Sequence, residues 1–186
     1  MIELEILVEV FDNIEKVKNI LNKFEFITTQ NIIDTYYYSS LSDELKPDSK
    51  GRLLKCLRIR NKGNENFLTY KDDKYNNDIW LYSDEYECRV DNLSNLKSIF
   101  ENLGYNELLT LNSNKTFYKQ QDYEIVLEEV KNLGIFLEVE LKKQIKTEEI
   151  EIEKNNIRTF IESLNINISD ELNCGKPQLY LQRNKH

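Results

Sequence analysis

The chain is poor in histidine. Its single copy, His186, is the last residue, which removes a buried imidazole from any acid–base or nucleophilic scheme. Cysteine is scarce too: Cys56, Cys88 and Cys174 show no metal-ligand spacing, and an odd number gives no complete disulfide framework. No apolar run approaches the roughly 20 residues that a bilayer-spanning helix needs. The first residues read as a charged strand, not as a signal peptide. Positive charge is in deficit, with 25 Lys and Arg against 33 Asp and Glu and a net charge of −8. A general binder of nucleic acid or of a membrane surface carries a net basic face, so both partners are excluded as a general function. A local basic cluster able to hold a small anion is not excluded. The expectation is a cytoplasmic protein. Five glycines against eleven tyrosines point to many strands and few tight turns. The length of 186 residues suits one domain, residues 1–186, with a sizeable core.

What is present is a recurrent alternation of charged and apolar residues. In Ile2-Glu3-Leu4-Glu5-Ile6-Leu7-Val8, Glu3 and Glu5 point to one side of a strand and Ile2, Leu4 and Ile6 to the other. Phe136 to Leu141 repeats the pattern with Glu138 and Glu140. Side by side, the two strands would gather four carboxylates, a hard-oxygen site suited to Mg²⁺ or Mn²⁺. The alternative is the wet face of an antiparallel sheet.

Further strands are predicted at Ile32 to Tyr38, Leu53 to Arg60, Phe67 to Lys71, Trp80 to Val90, around Lys115 to Tyr118, at Tyr123 to Val130 and at Ile135 to Lys142. Most are charged on one side only. Arg58 and Arg60 oppose Leu57 and Ile59, Lys71 opposes Tyr70, and Glu85, Glu87 and Arg89 are in line. Three helices are predicted. One runs from Ile14 to Phe24, one is capped by Ser94 and ends at Gly104, and one is capped by Thr147 and reaches about Leu164. Residues 39–52 and 72–78 read as polar loops, and Pro177 to Leu181 as an apolar tail able to dock. The opening strand–helix–strand order recurs with an offset of about eighty residues, Glu85 and Glu87 echoing Glu3 and Glu5. About eight such strands fit a closed barrel with a polar lumen and helices over its apolar outside. An open sheet with one solvated face would give the same alternation. Mixed charge in a lumen suits a polyanion held with a divalent cation.

The ordered set Glu3-x-Glu5, Asp34-x-Tyr36, Leu57-Arg58-Ile59-Arg60, Leu68-Thr69-Tyr70-Lys71, Glu85-x-Glu87, Lys115 and Leu133-Gly134-Ile135-Phe136-Leu137-Glu138-Val139-Glu140 resembles the CYTH superfamily, the triphosphate tunnel metalloenzymes. The resemblance implies an α+β fold, a closed or nearly closed eight-stranded antiparallel β-barrel with helices packed outside. It implies Mg²⁺ or Mn²⁺ at Glu3, Glu5, Glu138 and Glu140, with Glu85, Glu87 and Glu128 as further acidic tunnel residues. It implies triphosphate contacts from Arg58, Arg60, Lys71 and Lys115. Arginine suits this role because its planar fork matches phosphate oxygens.

Three positions depart from the family pattern. Leu7, Ser83 and Phe117 stand where the family is usually basic. Lys142 shares the parity of Glu138 and Glu140 and is the candidate substitute for the lysine missing at Leu7. The resemblance is strongest to class IV adenylate cyclases, which convert ATP to cyclic AMP and pyrophosphate. An inorganic or thiamine triphosphatase and a tunnel that only binds nucleotide or polyphosphate are the alternatives. The implied partner is a nucleoside triphosphate or another triphosphate or polyphosphate. A homodimer is left open.

Overall fold

The computed structural model describes residues 2–77 and 79–184; Met1, Asp78, Lys185 and the lone histidine His186 lie outside the described residues. The elements run β1 (Ile2–Glu9), α1 (Ile14–Leu21), β2 (Glu25–Ser39), β3 (Lys55–Lys62), β4 (Glu65–Asn76), β5 (Ile79–Arg89), α2 (Leu93–Asn102), β6 (Tyr105–Gln120), β7 (Tyr123–Val130), β8 (Gly134–Leu141), α3 (Ile150–Ser163) and α4 (Lys176–Arg183). The eight strands close a barrel in the order β1-β5-β4-β3-β2-β6-β7-β8, antiparallel at each pairing. A strand, a helix and three strands occur twice in succession. The two halves meet where β1 pairs both β5 and β8, β4 pairs β5 and β2 pairs β6.

Strand parity decides what faces where. Leu4, Ile6 and Val8 of β1, Ile125 and Leu127 of β7, and Leu137 and Val139 of β8 point outward, where they bury against Val17 and Leu21 of α1 and Ile150, Ile157 and Ile161 of α3. Each such side chain stabilises the fold by about 1.5–3 kcal/mol relative to exposure. Across the barrel, Phe100 of α2 packs on Tyr37 and Ile59, its ring edge-on to Tyr37 with centroids 5.0 Å apart.

The C-terminal segment closes one end of the lumen. Inward-facing Leu7, Tyr36, Leu109, Leu111, Val130 and Phe136 form a cluster there with Cys174 and Leu179. The segment also completes the wall. Among the described residues β1 meets β5 only at Ile2↔Asp84 and Glu3↔Ser83. Farther along, Ser169 N donates to Glu9 O at 2.9 Å and Leu172 N to Leu7 O at 2.8 Å. A free strand edge would leave these carbonyls unpaired.

Several local expectations change. The cap of α2 is Asn92, whose Oδ1 accepts from Asn95 N at 2.9 Å, while Ser94 Oγ donates to Asn92 Oδ1. Gly104, with φ +77°, does end that helix in the left-handed conformation glycine permits. Thr147 opens a 3₁₀ turn before α3 and caps nothing. α1 stops at Leu21, and the tail supplies a fourth helix. Residues 72–76 continue β4, with a turn at Asn77. β2 starts earlier than its apolar alternation shows because Glu25 and Phe26 pair with Lys119 and Tyr118, and β6 starts earlier because Tyr105 to Glu107 pair with Ser39 to Tyr37.

Candidate functional site

The lumen encloses a cavity of about 660 Å³. Arg58, Arg60, Lys71, Lys115, Lys142, Glu3, Glu5, Glu85, Glu87, Glu138 and Glu140 all line it. Leu57 and Ile59 pack outside with the cluster around α2. Glu128 lies behind the lining, 2% exposed. Alternation together with closure of the barrel produces this convergence, since each strand then turns its charged row inward.

On β3, Arg60 clamps Asp34 of β2 through two hydrogen bonds, Nε to Oδ1 and Nη2 to Oδ2, both 2.8 Å. Burial opposes ionisation of Asp34, but Arg60 and Arg58 outweigh it and hold the carboxyl well below its usual range. Arg58 is looser. Its Nη2 donates to Thr69 Oγ1 at 3.1 Å, and Thr69 Oγ1 donates to Glu87 Oε2 at 2.8 Å. Asp34, Glu85 and Glu87 stand 3.7–4.0 Å from its guanidinium. Arg58 Nε is buried with no hydrogen-bond partner among the described residues, a donor that an incoming oxygen would satisfy.

Lys71 of β4 sits among Glu3, Glu5 and Glu85. Its Nζ bonds Glu3 directly and lies 3.1 Å from Glu85 Oε2 and 3.6 Å from Glu5 Oε1. Burial opposes ionisation of Glu85, but Lys71, a hydrogen bond from Glu3 and Arg58 hold it at about 2. Glu5 differs. Burial, reinforced by Glu138 and Glu140 against the pull of Lys71, pushes it up to about 7. Glu5 faces Glu140 directly across the β1–β8 ladder, and burial raises Glu140 as well.

Hard carboxylate oxygens at Glu3, Glu5 and Glu140 fit Mg²⁺ or Mn²⁺ in kind. The raised acids at Glu5 and Glu140 are those a divalent cation would return to the ionised form. Among the described residues no three acidic, histidine or cysteine side chains are gathered as a ready cage, because Lys71 occupies the space among Glu3, Glu5 and Glu85. Glu138, expected beside them, is neutralised from elsewhere. Burial opposes its charge, but Lys176 and Lys115 hold it well below the usual range.

Lys176 is the residue that sequence reasoning missed. It begins α4 and carries its ammonium into the lumen, bonding Glu138 and lying 2.7 Å from Glu128 Oε2. Lys115 approaches the same Glu128 oxygen at 3.3 Å. No local pattern around Lys176 announces this, since its role depends on where the tail docks. Asp34 and Asp73 were also unassigned, although the parity of Asp34 was readable. Ser83, at a position usually basic in the family, donates to Asp73 Oδ1 at 2.7 Å. Burial, against that hydrogen bond, pushes Asp73 up to about 6.

Lys142, expected to replace the lysine missing at Leu7 as a triphosphate contact, lines the cavity but at a different level from Leu7. Leu7 opposes Glu138, whereas Leu141 opposes Leu4, so Lys142 lies at the other end of the barrel. There it pairs with Glu140 at 2.9 Å and Glu124 at 3.7 Å. The cation at the level of Leu7 is Lys176.

The CYTH domain family matches residues 1–168. The chain is 32% identical over 142 residues to a protein of Methanocaldococcus jannaschii named as a candidate adenylate cyclase, covering 75% of this chain and 77% of that one. A solved structure from Pyrococcus horikoshii OT3 superposes with a TM-score of 0.82 at 24% identity, covering 98% of this chain and 99% of that one. A candidate adenylyl cyclase from Hippeastrum, described as having a dominant triphosphatase activity, superposes at 0.67 with 14% identity, covering 100% of this chain and 98% of that one. The two structural likenesses establish the fold. Among the described residues no helix is long and apolar enough to cross a membrane.

Proposed function

The chain belongs to the CYTH domain family, and on that premise we propose that its tunnel takes up a triphosphate with Mg²⁺ or Mn²⁺ and converts it, in the manner of a class IV adenylate cyclase. The observation that carries the reading is Arg58, a buried guanidinium whose Nε has no partner among the described residues, at the centre of a cavity lined by Arg60, Lys71 and Lys115. A charged donor held dry and unsatisfied is what a phosphate oxygen completes.

Arg58 and Lys71 would bind phosphate oxygens, and Arg60, fixed by Asp34, would present the rest of its fork. Lys115, whose charge burial disfavours despite Glu128, gains from an added anion. Glu3, Glu5 and Glu140 would hold the cation, with Lys71 turning from Glu3 to the phosphate as the ion enters. When bound, the ion would neutralise charge developing on the phosphates. In the cyclase reaction the ribose 3′-hydroxyl gives up its proton, its oxygen bonds to the α-phosphorus, the bond to the pyrophosphate leaving group breaks, and cyclic AMP, pyrophosphate and a proton result. Phe117, where the family is usually basic, leaves fewer cations for the phosphates. That favours a second reading, a tunnel that binds without turnover; a triphosphatase, in which water attacks the terminal phosphate, is the other alternative. We place the protein in the cytoplasm, acting on a small triphosphate and not on nucleic acid or membrane.

Incubation with ATP, inorganic triphosphate and thiamine triphosphate, each with Mg²⁺ or Mn²⁺, followed by product identification, tests the proposal. Cyclic AMP with pyrophosphate establishes the cyclase and orthophosphate the triphosphatase. Tight binding without product leaves the binding-only tunnel. A protein that neither binds nor converts any of the three removes the triphosphate reading.

A further inference from the structure

We propose that Phe117 and Ile27 form a shelf for the flat heteroaromatic part of an organic triphosphate, so that the protein selects such substrates over inorganic triphosphate. The inference rests on the triphosphate reading above.

The first argument is that the two ends of the lumen differ. At the end covered by the C-terminal segment, Leu7 is 2% exposed and Phe136 is fully buried. At the other end Ile27 is 50% exposed, and Lys142 keeps half of its side-chain surface. A triphosphate whose charged end has reached Arg58 through this mouth must leave the rest of the molecule beside the rim. The cavity of about 660 Å³ falls within the ~300–1,000 Å³ of sites that bury whole organic ligands.

The second argument is what the rim offers there. Phe117 follows Lys115 on the inward row of β6 and lies between Thr28 of β2 and Val126 of β7 in the ladders. Lys62 Nζ stands 5.4 Å from the centroid of its ring. Ile27 sits at an irregularity in β2, between the paired residues Phe26 and Thr28, and also lines the cavity. At the mouth side of the lumen this is an apolar ledge with a cation beside it. Inorganic triphosphate, all charge and oxygen, gains nothing from a phenyl ring. A flat ring linked to a triphosphate stacks on it while Lys62 remains close to the phosphate chain.

Binding of ATP and of inorganic triphosphate, each with Mg²⁺, to wild type, Phe117→Leu, Phe117→Tyr and Ile27→Ser tests this. Loss of stacking should weaken ATP roughly tenfold in Phe117→Leu, with inorganic triphosphate unchanged, ATP affinity kept in Phe117→Tyr and a smaller ATP-only loss in Ile27→Ser. Unchanged ATP affinity in Phe117→Leu, or an equal loss for both ligands, overturns the shelf and leaves the triphosphate reading standing. Should Phe117→Leu fail to fold, Ile27→Ser decides, and an ATP affinity equal to wild type there overturns the shelf. A wild type that binds neither ligand overturns the triphosphate reading, and the shelf with it.

Discussion

The ammonium of Lys176 lies 2.7 Å from Oε2 of Glu128, so the first residue of the last helix is ion-paired to a buried carboxylate on β7. The same nitrogen bonds Glu138 on β8. Burial opposes its charge, yet Glu128, Glu138 and Glu5 outweigh that cost and raise the lysine far above its ordinary value. The tail is therefore held by charge inside the barrel as well as by Leu179 at its end.

Replacing Lys176 with Met leaves Glu128 and Glu138 with one fewer cation in a buried setting. Removing one partner of such a pair costs about 3–5 kcal/mol. Urea unfolding should show that loss, and a change below about 0.5 kcal/mol, the range of ordinary surface substitutions, would mean the pair is solvated in solution.

Leu7→Lys restores the residue usual in the family but should not restore its function. Leu7 is 2% exposed and opposes Glu138, which Lys176 already occupies. A second ammonium there is unpaired, and the loss should be several kcal/mol. The double variant Leu7→Lys with Lys176→Met should recover part of it, because the new lysine can take the vacated carboxylates. Additive losses in thermal or urea unfolding would refute the shared position.

The metal-free protein should lose stability as pH rises toward neutrality. Glu5 is pushed up to about 7 and Asp73 to about 6, each chiefly by burial. The folded chain thus keeps protons that the unfolded chain releases near the ordinary carboxylate values of 4.5 and 3.8. Their contribution is complete below those values and disappears as pH rises through about 7. Glu85, held at about 2, acts in the opposite sense, its contribution being lost as pH falls from about 4.5 toward 2. Glu5→Gln should flatten the fall between pH 5 and 8 by about 1–3 kcal/mol. Identical slopes in denaturant titrations with chelator present would contradict the raised carboxyl.

Millimolar Mg²⁺ or Mn²⁺ with inorganic triphosphate should raise the melting temperature, since a ligand that binds only the folded state stabilises it. Glu5→Gln and Glu140→Gln should reduce the metal-dependent part of the shift. A melt unaffected by metal and triphosphate together would argue against the carboxylates as a cation site.

Arg58→Met should weaken triphosphate binding at least tenfold, the scale of a charge-assisted hydrogen bond. Lys142→Met should weaken it less, because Lys142 sits at the mouth, half exposed and paired with Glu140. Titration calorimetry with inorganic triphosphate distinguishes them, and equal losses would mean that the mouth binds phosphate as strongly as the centre.

The sequence by itself determined the alternating strands and which side of each is charged, and their closure into a barrel entered only through the family resemblance. Charged rows alternating with apolar ones at Glu3 and Glu5, Arg58 and Arg60, and Glu138 and Glu140 can turn only one way if the apolar rows are to be buried, and once the barrel is closed that geometry aims the charges at one another. The family resemblance rests on that same row. What the sequence left undecided depends on register and on long-range docking. That Glu5 opposes Glu140, and that Lys142 lies far from Leu7, follows from an antiparallel offset of β1 on β8 that neither strand contains alone. That Lys176 neutralises Glu128 and Glu138, and that the tail closes one end of the tunnel, depends on α4 finding an apolar seat made by Leu7, Leu109, Phe136 and Val130 from four different strands. Local pattern cannot carry that information, because the seat exists only after the barrel has closed.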